Sequence, residues 1–456
     1  MSAAIDLERL RPSMEGVVAA VLATCDAEGQ VNVSLISQVH YVGPGLIALS
    51  YQFFNKTRRN LLETRRAAVT VIDCATAERY RLSLDYLETD TEGPVFEAMR
   101  ARLAGIASHT GMAGVFRLQG ADLCRVSAME QVPGPALPSP PAGPSRLAAA
   151  RRVAERLRGA ADPGALADAA LAGIAEELGI THAIFLAADA GERRLFTLAS
   201  LGHAETGIGS EIAYGEGLAG AAAQSFAPVR ITMMTAEYRY GAAVAGTARS
   251  LGLDWDRART IPFPGLAMPG SQMAVPLRFG DRLCGVLLVE SPEILRFSHE
   301  DEDALALIGD QIGALMVALD ADRAGEEPGE PAAKDGPACI AIRHFDRDDS
   351  VFIGHDYLIK GVAGAIFWRL LQEHAASGRT EFTTRELRLD PALRLPGNAE
   401  NFDTRLILLM RRLEERAAPV RLLRAGRGRL RLALSAHPVL SEADAGSSAR
   451  AVPDPA

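Results

Sequence analysis

Apolar residues recur with period two in some stretches of the chain and every three or four residues in others, and these two rhythms divide it into blocks. In the first block "GVVAAVLATC", "QVNVSLIS" and "GLIALSY" are β-rich runs separated by the turn-forming "DAEG" and "VGPG". Further strands are predicted over Ala68 to Asp73, Arg79 to Thr89, Gly114 to Leu118 and Leu123 to Ala128. Helices are predicted over Thr57 to Arg65 and Pro94 to Ile106. Many short antiparallel strands with few helices point to a barrel rather than a doubly wound sheet.

The second block opens with helices at Ser145 to Leu157 and Pro163 to Leu178, then strands at His182 to Ala187 and Leu195 to Ser200. A hairpin follows in "SQMAVPLRFGDRLCGVLLVES", turning at Gly280 and Asp281. Next comes a helix with Ser298 as N-cap, acids in its first turn, and Leu305, Ile308, Ile312, Leu315 and Leu319 inward. The third block begins with strands near Ala338 to His344 and Asp349 to Ile353. Three helices follow, the second capped by Thr383 or Thr384 and the third written "NFDTRLILLMRRLEER", before a hairpin turning at Gly426 to Gly428.

Two stretches read as linkers, the Pro-rich Val132 to Ser145 and the acidic Ala321 to Pro337. The expected modules are therefore 1–131, 146–320 and 338–437, with a disordered tail over 438–456. A length of 456 residues agrees with three domains at about 150 residues each. The formal net charge of −9 argues against wholesale nucleic-acid binding, but not against a local basic patch. Cys25, Cys74, Cys124, Cys284 and Cys339 lack metal or redox spacing, which points to a reduced, cytoplasmic protein. The first residues carry no signal-peptide pattern and no apolar run suits a membrane span, so no membrane partner is expected.

Candidate chemistry begins at "FFNKTRRNL". Lysine occurs only at Lys56, Lys334 and Lys360, yet Lys56 joins Arg58 and Arg59 at a predicted helix start, where the dipole disfavours cations. A bound phosphate would account for them. The plainer alternative has Arg58 and Arg59 reaching solvent and Asn55 merely capping the helix. His109, in "IASHTGMAGVF", is expected in a loop, either as an acid/base or haem-ligating group or simply bonded to backbone. On the last predicted helix Phe402, Leu406, Leu409 and Leu413 share one side, leaving Asn401, Arg405, Leu408, Arg411 and Arg412 outward. From Arg379 to Arg431 there are 13 Arg against 7 acids, the footprint of a DNA contact. Ile407 and Leu408 near the middle of the outer face suit a protein partner instead.

On these residues the chain resembles three families. The strands around "FFNKTRRNL" and "AAVTVID" are similar to the FMN-binding split barrel of pyridoxamine 5′-phosphate oxidase, over about 10–132. That resemblance implies a flavin phosphate held by Ser50, Asn55, Lys56, Thr57, Arg58 and Asn60, with His109 as the catalytic candidate and a homodimer building the site. FMN is the implied cofactor, with FAD and haem as alternatives. The family's Trp-containing C-terminal motif is absent.

The phrases "YGEGLAGAAAQSFAPVRI" and "SQMAVPLRFGDRLCGVLLVES" resemble a GAF domain over about 146–320, implying a ligand-sensing or dimerising module of unassigned ligand. Met233, Tyr238, Tyr240 and Trp255 would line its pocket or pack a lid. The third block resembles the winged helix of response regulators over about 338–435. This implies DNA contacts from Arg405, Arg411 and Arg412, with Arg424, Arg427 and Arg429 placing the wing. The expected fold class is thus multidomain α+β: split β-barrel, GAF α/β sandwich and winged helix. The expected function is a flavin-binding redox or ligand sensor, with a flavin-dependent oxidoreductase or oxidase and a cofactor-free scaffold as alternatives.

Overall fold

The computed structural model describes residues 6–14, 19–36, 38–52, 55–109, 117–138, 143–234, 261–322, 339–346, 348–354, 356–393, 402–426 and 428–442. The first unit opens with a 3-10 segment, Leu7–Met14, followed by β1 (Ala20–Cys25), β2 (Val31–Ile36), β3 (Val39–Gly43) and β4 (Leu46–Tyr51). Then come α1 (Lys56–Thr64), β5 (Arg66–Ile72), β6 (Arg79–Asp90), α2 (Pro94–His109) and β7 (Gly120–Val132). The strands form one seven-stranded sheet in the order β2-β1-β5-β6-β7-β4-β3. Register shifts in the long β6/β7 pair, at Ser83/Leu84 and Tyr86/Glu88, give it room to bend. Leu22, Ile36, Val39, Leu49, Val69, Leu82 and Val126, from both ends of the sheet, meet in one core, so the sheet wraps around it.

The second unit holds α3 (Arg146–Leu157), α4 (Pro163–Leu178), β8 (His182–Asp189), β9 (Arg194–Leu201) and β10 (Glu211–Ala213). It continues with α5 (Gly217–Ser225), β11 (Val229–Ile231), β12 (Ser271–Phe279), β13 (Arg282–Ser291) and α6 (His299–Asp322). Local chemistry sets the helix ends. Asp162 caps α4 with Pro163 at its first position, and Gly179, at φ 64°, closes it. Ser298 and Asp301 exchange bonds at the start of α6: the Ser298 amide and hydroxyl donate to Asp301 Oδ2 at 2.9 and 3.0 Å. The antiparallel sheet, ordered β10-β9-β8-β13-β12-β11, carries α3, α4 and α6 on one face and α5 on the other. Being covered on both sides, β8 is a continuous apolar run rather than an alternating one.

The third unit contains β14 (Cys339–Phe345), β15 (Ser350–Ile353), β16 (Asp356–Ile359), α7 (Gly361–Ser377), β17 (Glu381–Thr383), α8 (Thr384–Leu389), α9 (Phe402–Glu415), β18 (Val420–Arg424), β19 (Arg429–Leu434) and β20 (His437–Glu442). Thr383 and Glu386 form a capping box at α8. One sheet runs β16-β15-β14-β20 and a smaller one β17-β19-β18. Residues 438–442, expected in a disordered tail, instead pair in parallel with β14, Ile340 opposite Pro438 and Ile342 opposite Leu440. Further differences are β3 and β16, too short to show a period, and the strand expected at Gly114 to Leu118, where the described residues 117–119 are not strand.

The units pack directly on one another. Helix α2 of the first unit lies against α5 and β11 of the second, and Ala101 joins the second unit's core. Gly105 permits this approach, since a Cβ there would stand 2.6 Å from Val229 Cγ1. On the opposite side α9 packs on α4, where Gly164 leaves 3.0 Å between a hypothetical Cβ and Ile407 Cγ2.

Candidate functional site

A cavity of 410 Å³ opens at the start of α1, between β2 and β4. Its apolar wall includes Leu22, Ile36, Leu49, Leu61 and Leu103, and its polar end is made by Ser34, Ser50, Asn55, Thr57, Arg58 and Asp122. Asn55 adopts extended backbone and its side chain accepts from the Arg58 amide at 3.1 Å, which fixes the first turn of α1 beside the cavity. Thr57 is held from the other side: Asn32 Nδ2 donates to its Oγ1 at 2.8 Å, and the hydroxyl donates to Ser34 Oγ at 3.0 Å.

Four of the six residues expected to hold a phosphate, Ser50, Asn55, Thr57 and Arg58, line this cavity. Lys56 and Asn60 do not. Lys56 is half-exposed and its Nζ lies 3.8 Å from Asp26 Oδ2. Asn60 is buried, its Nδ2 donating to Thr24 Oγ1 at 3.3 Å, because it lies three positions after Thr57 and next to Leu61 on the face of α1 turned to the core. Arg58 is neither solvated nor free. Its guanidinium pairs with Asp122, donates to Thr89 Oγ1 at 3.1 Å and sits 3.7 Å from the centroid of the Tyr51 ring. This buried pair neutralises one of the three cations set against the helix dipole.

Asp122 is the site residue that sequence reasoning missed. Its signal was an acid inside the otherwise apolar "GADLC", since a carboxylate is rarely buried unless paired. Two positions on, burial first and then Asp122 and Asp85 push the Cys124 thiol up to about 12, so it supplies no thiolate near neutral pH. His109, expected in a loop, is the last residue of α2, and its side chain lies outside the described residues.

The basic side chains of α9 do not face outward as expected. Arg405 pairs with Asp189 and lies 4.1 Å from the Phe196 ring centroid. Arg411 donates to Leu198 O at 2.9 Å, Gly164 O at 2.8 Å and Asp168 Oδ2 at 2.7 Å, all in the second unit. Arg412 is buried in its own unit, donating to Leu358 O at 3.0 Å and to Glu415 at 2.6 Å. The physical reason is the apolar centre of that face: Ile407 and Leu408 are buried, and the flanking guanidinium groups follow them onto the second unit. Arg424 lies 3.7 Å from Asp162, Arg429 is partly buried, and Arg427 and Asn401 lie outside the described residues. Of the expected lid residues, Met233 is exposed, while Tyr238, Tyr240 and Trp255 lie outside the described residues.

Residues 160–317, from α4 through most of α6, match the GAF domain family, and this segment is a GAF domain. Comparison with curated proteins finds no match. Among solved structures the chain is similar to an FMN-binding protein from Syntrophomonas wolfei subsp. wolfei, at 21% identity over 28% of this chain and 86% of that one, with a TM-score of 0.24. It is also similar to the GAF domain of an Acinetobacter phosphoenolpyruvate-protein phosphotransferase, at 18% identity, 40% and 97% coverage and a TM-score of 0.31. A third is free methionine-R-sulfoxide reductase from Neisseria meningitidis in complex with its substrate, at 17% identity, 40% and 96% coverage and a TM-score of 0.30. No helix among the described residues is long and apolar enough to cross a membrane.

Proposed function

We propose that this chain is an FMN-binding sensor or regulator. The first unit takes the flavin, the GAF domain relays or integrates a second signal, and the third unit, read as a winged helix, is the output. The observation that carries the reading is the 410 Å³ cavity abutting the first turn of α1. Its size suits a small-molecule cofactor. The leucine and isoleucine wall suits a flat ring system, and the amides of the first turn suit an anionic tail. Ser50, Asn55, Thr57 and the Arg58 edge would hold the flavin, with Lys56 adding charge from the rim.

The site is completed by a second copy of the chain. Support comes from β2, an edge strand whose Val31, Val33 and Leu35 are 78%, 64% and 74% exposed while Asn32 and Ser34 turn inward. An outward apolar row on an unpaired edge calls for a partner, and Leu35 itself lines the cavity. Docking of α9 on the GAF domain favours an output exerted through that contact over a freely exposed DNA-reading helix. The test is FMN titration of the purified chain and of Leu35→Asp, with the mass in solution measured in parallel. Stoichiometric binding by a dimer, lost together with dimerisation in Leu35→Asp, supports the reading. Failure of the parent protein to bind FMN overturns it.

A further inference from the structure

A second cavity, of 100 Å³, lies between the first unit and the GAF domain. Both sides supply cationic or imidazole groups: Arg11, His40 and Arg102 from the first unit, Arg230 and His299 from the GAF domain. Among the described residues the acids nearby are already shared with arginines other than Arg102. Arg11 is bound in a fork to Asp303, at 2.6 and 3.0 Å. Arg230 donates through Nε to Glu302 at 2.7 Å. Arg102, on α2, has no hydrogen bond or ion pair among the described residues, and Glu302 is the acid whose field favours its charge. Among the described residues Arg102 thus faces Glu302, a carboxylate already committed to Arg230. A half-buried guanidinium with no carboxylate of its own is a ready seat for an anion.

We propose that this cavity binds a small tetrahedral oxyanion of the phosphate class, held chiefly by Arg102 and bridging the first unit to the GAF domain. A volume of 100 Å³ is about three water molecules' share, room for one such ion but not for a nucleotide. The planar fork of Arg102 suits two oxygens of that ion. Burial and the field of Arg102, with a smaller push from Arg11 and an opposing pull from Glu302, hold the His40 imidazole down at about 4, as a cationic pocket should. The site is separate from the α1 cavity, so it stands whether or not flavin binds there.

The probe is inorganic phosphate, with sulfate alongside, titrated calorimetrically into the full chain. One ion per chain is expected, with Arg102→Met raising Kd about tenfold or more, Arg102→Lys intermediate, and Arg81→Ala, an exposed arginine outside both cavities, within about twofold of the parent. Should Arg102→Met fail to fold, His40→Gln replaces it, with a several-fold weakening expected. A Kd above the order of 1 mM for both ions, or an affinity unchanged in Arg102→Met, overturns the proposal.

Discussion

Replacing Arg405 by Ala tests the docking of α9 on the GAF domain. The pair it forms with Asp189 is 12% and 11% exposed at its two side chains, so its charges are largely out of water. Removing one partner of a fully buried pair costs about 3–5 kcal/mol. Asp189 keeps two amide donors, Gly191 N at 3.0 Å and Glu192 N at 3.2 Å, so its carboxylate is not left bare and the loss falls to about 1.5–2 kcal/mol. The face contact with Phe196 adds about 0.5–1 kcal/mol. The expected total is near 2–3 kcal/mol, of which about 1.5 should appear as coupling with Asp189→Ala in a double-mutant cycle.

Trp368, buried in α7, reports on the third unit, and Trp255→Phe removes the other tryptophan. Urea unfolding followed by Trp368 fluorescence, with hydrogen exchange along α9, reads the cycle. Additivity of the two single variants within about 0.5 kcal/mol would refute the docked arrangement.

Acid should loosen the seam between the first unit and the GAF domain. His40 titrates at about 4 when folded against an ordinary 6.5, so the unfolded chain takes up its proton first and stability is lost as pH falls from about 6.5 toward 4. The slope from His40 alone is at most about 1.4 kcal/mol per pH unit, His299 is displaced in the same direction, and His40→Gln should flatten a pH series of thermal midpoints. Gly105→Ala drives a methyl into Val229 and should cost about 1–3 kcal/mol, read as a lower thermal midpoint, whereas the substitution in an open helix would stabilise. Asp122→Asn strips the partner from Arg58 and should destabilise the first unit by at least about 2 kcal/mol, measured by urea unfolding.

Much of the fold was legible because it rests on local chemistry. The Pro163 start of α4, the Gly280–Asp281 turn and the Thr383 cap of α8 are written in adjacent residues and stand where expected. What escaped depends on distant partners. β20 exists because β14 offers it an edge, and nothing within "HPVLSE" announces that. The outward reading of Arg405 and Arg411 followed the helical period correctly but assumed solvent where the GAF domain lies. At the α1 cavity the cluster of polar residues was readable, while the neutralisation of Arg58 by an acid 64 positions away was not.

The central claim is that the cavity at α1 receives a flavin nucleotide. The most direct measurement is the absorption spectrum of the purified chain after incubation with FMN and removal of unbound ligand. One flavin per chain, bleached by dithionite and weakened several-fold in Lys56→Ala, is the predicted result. A chain that emerges colourless and leaves FMN fluorescence unchanged would contradict the account.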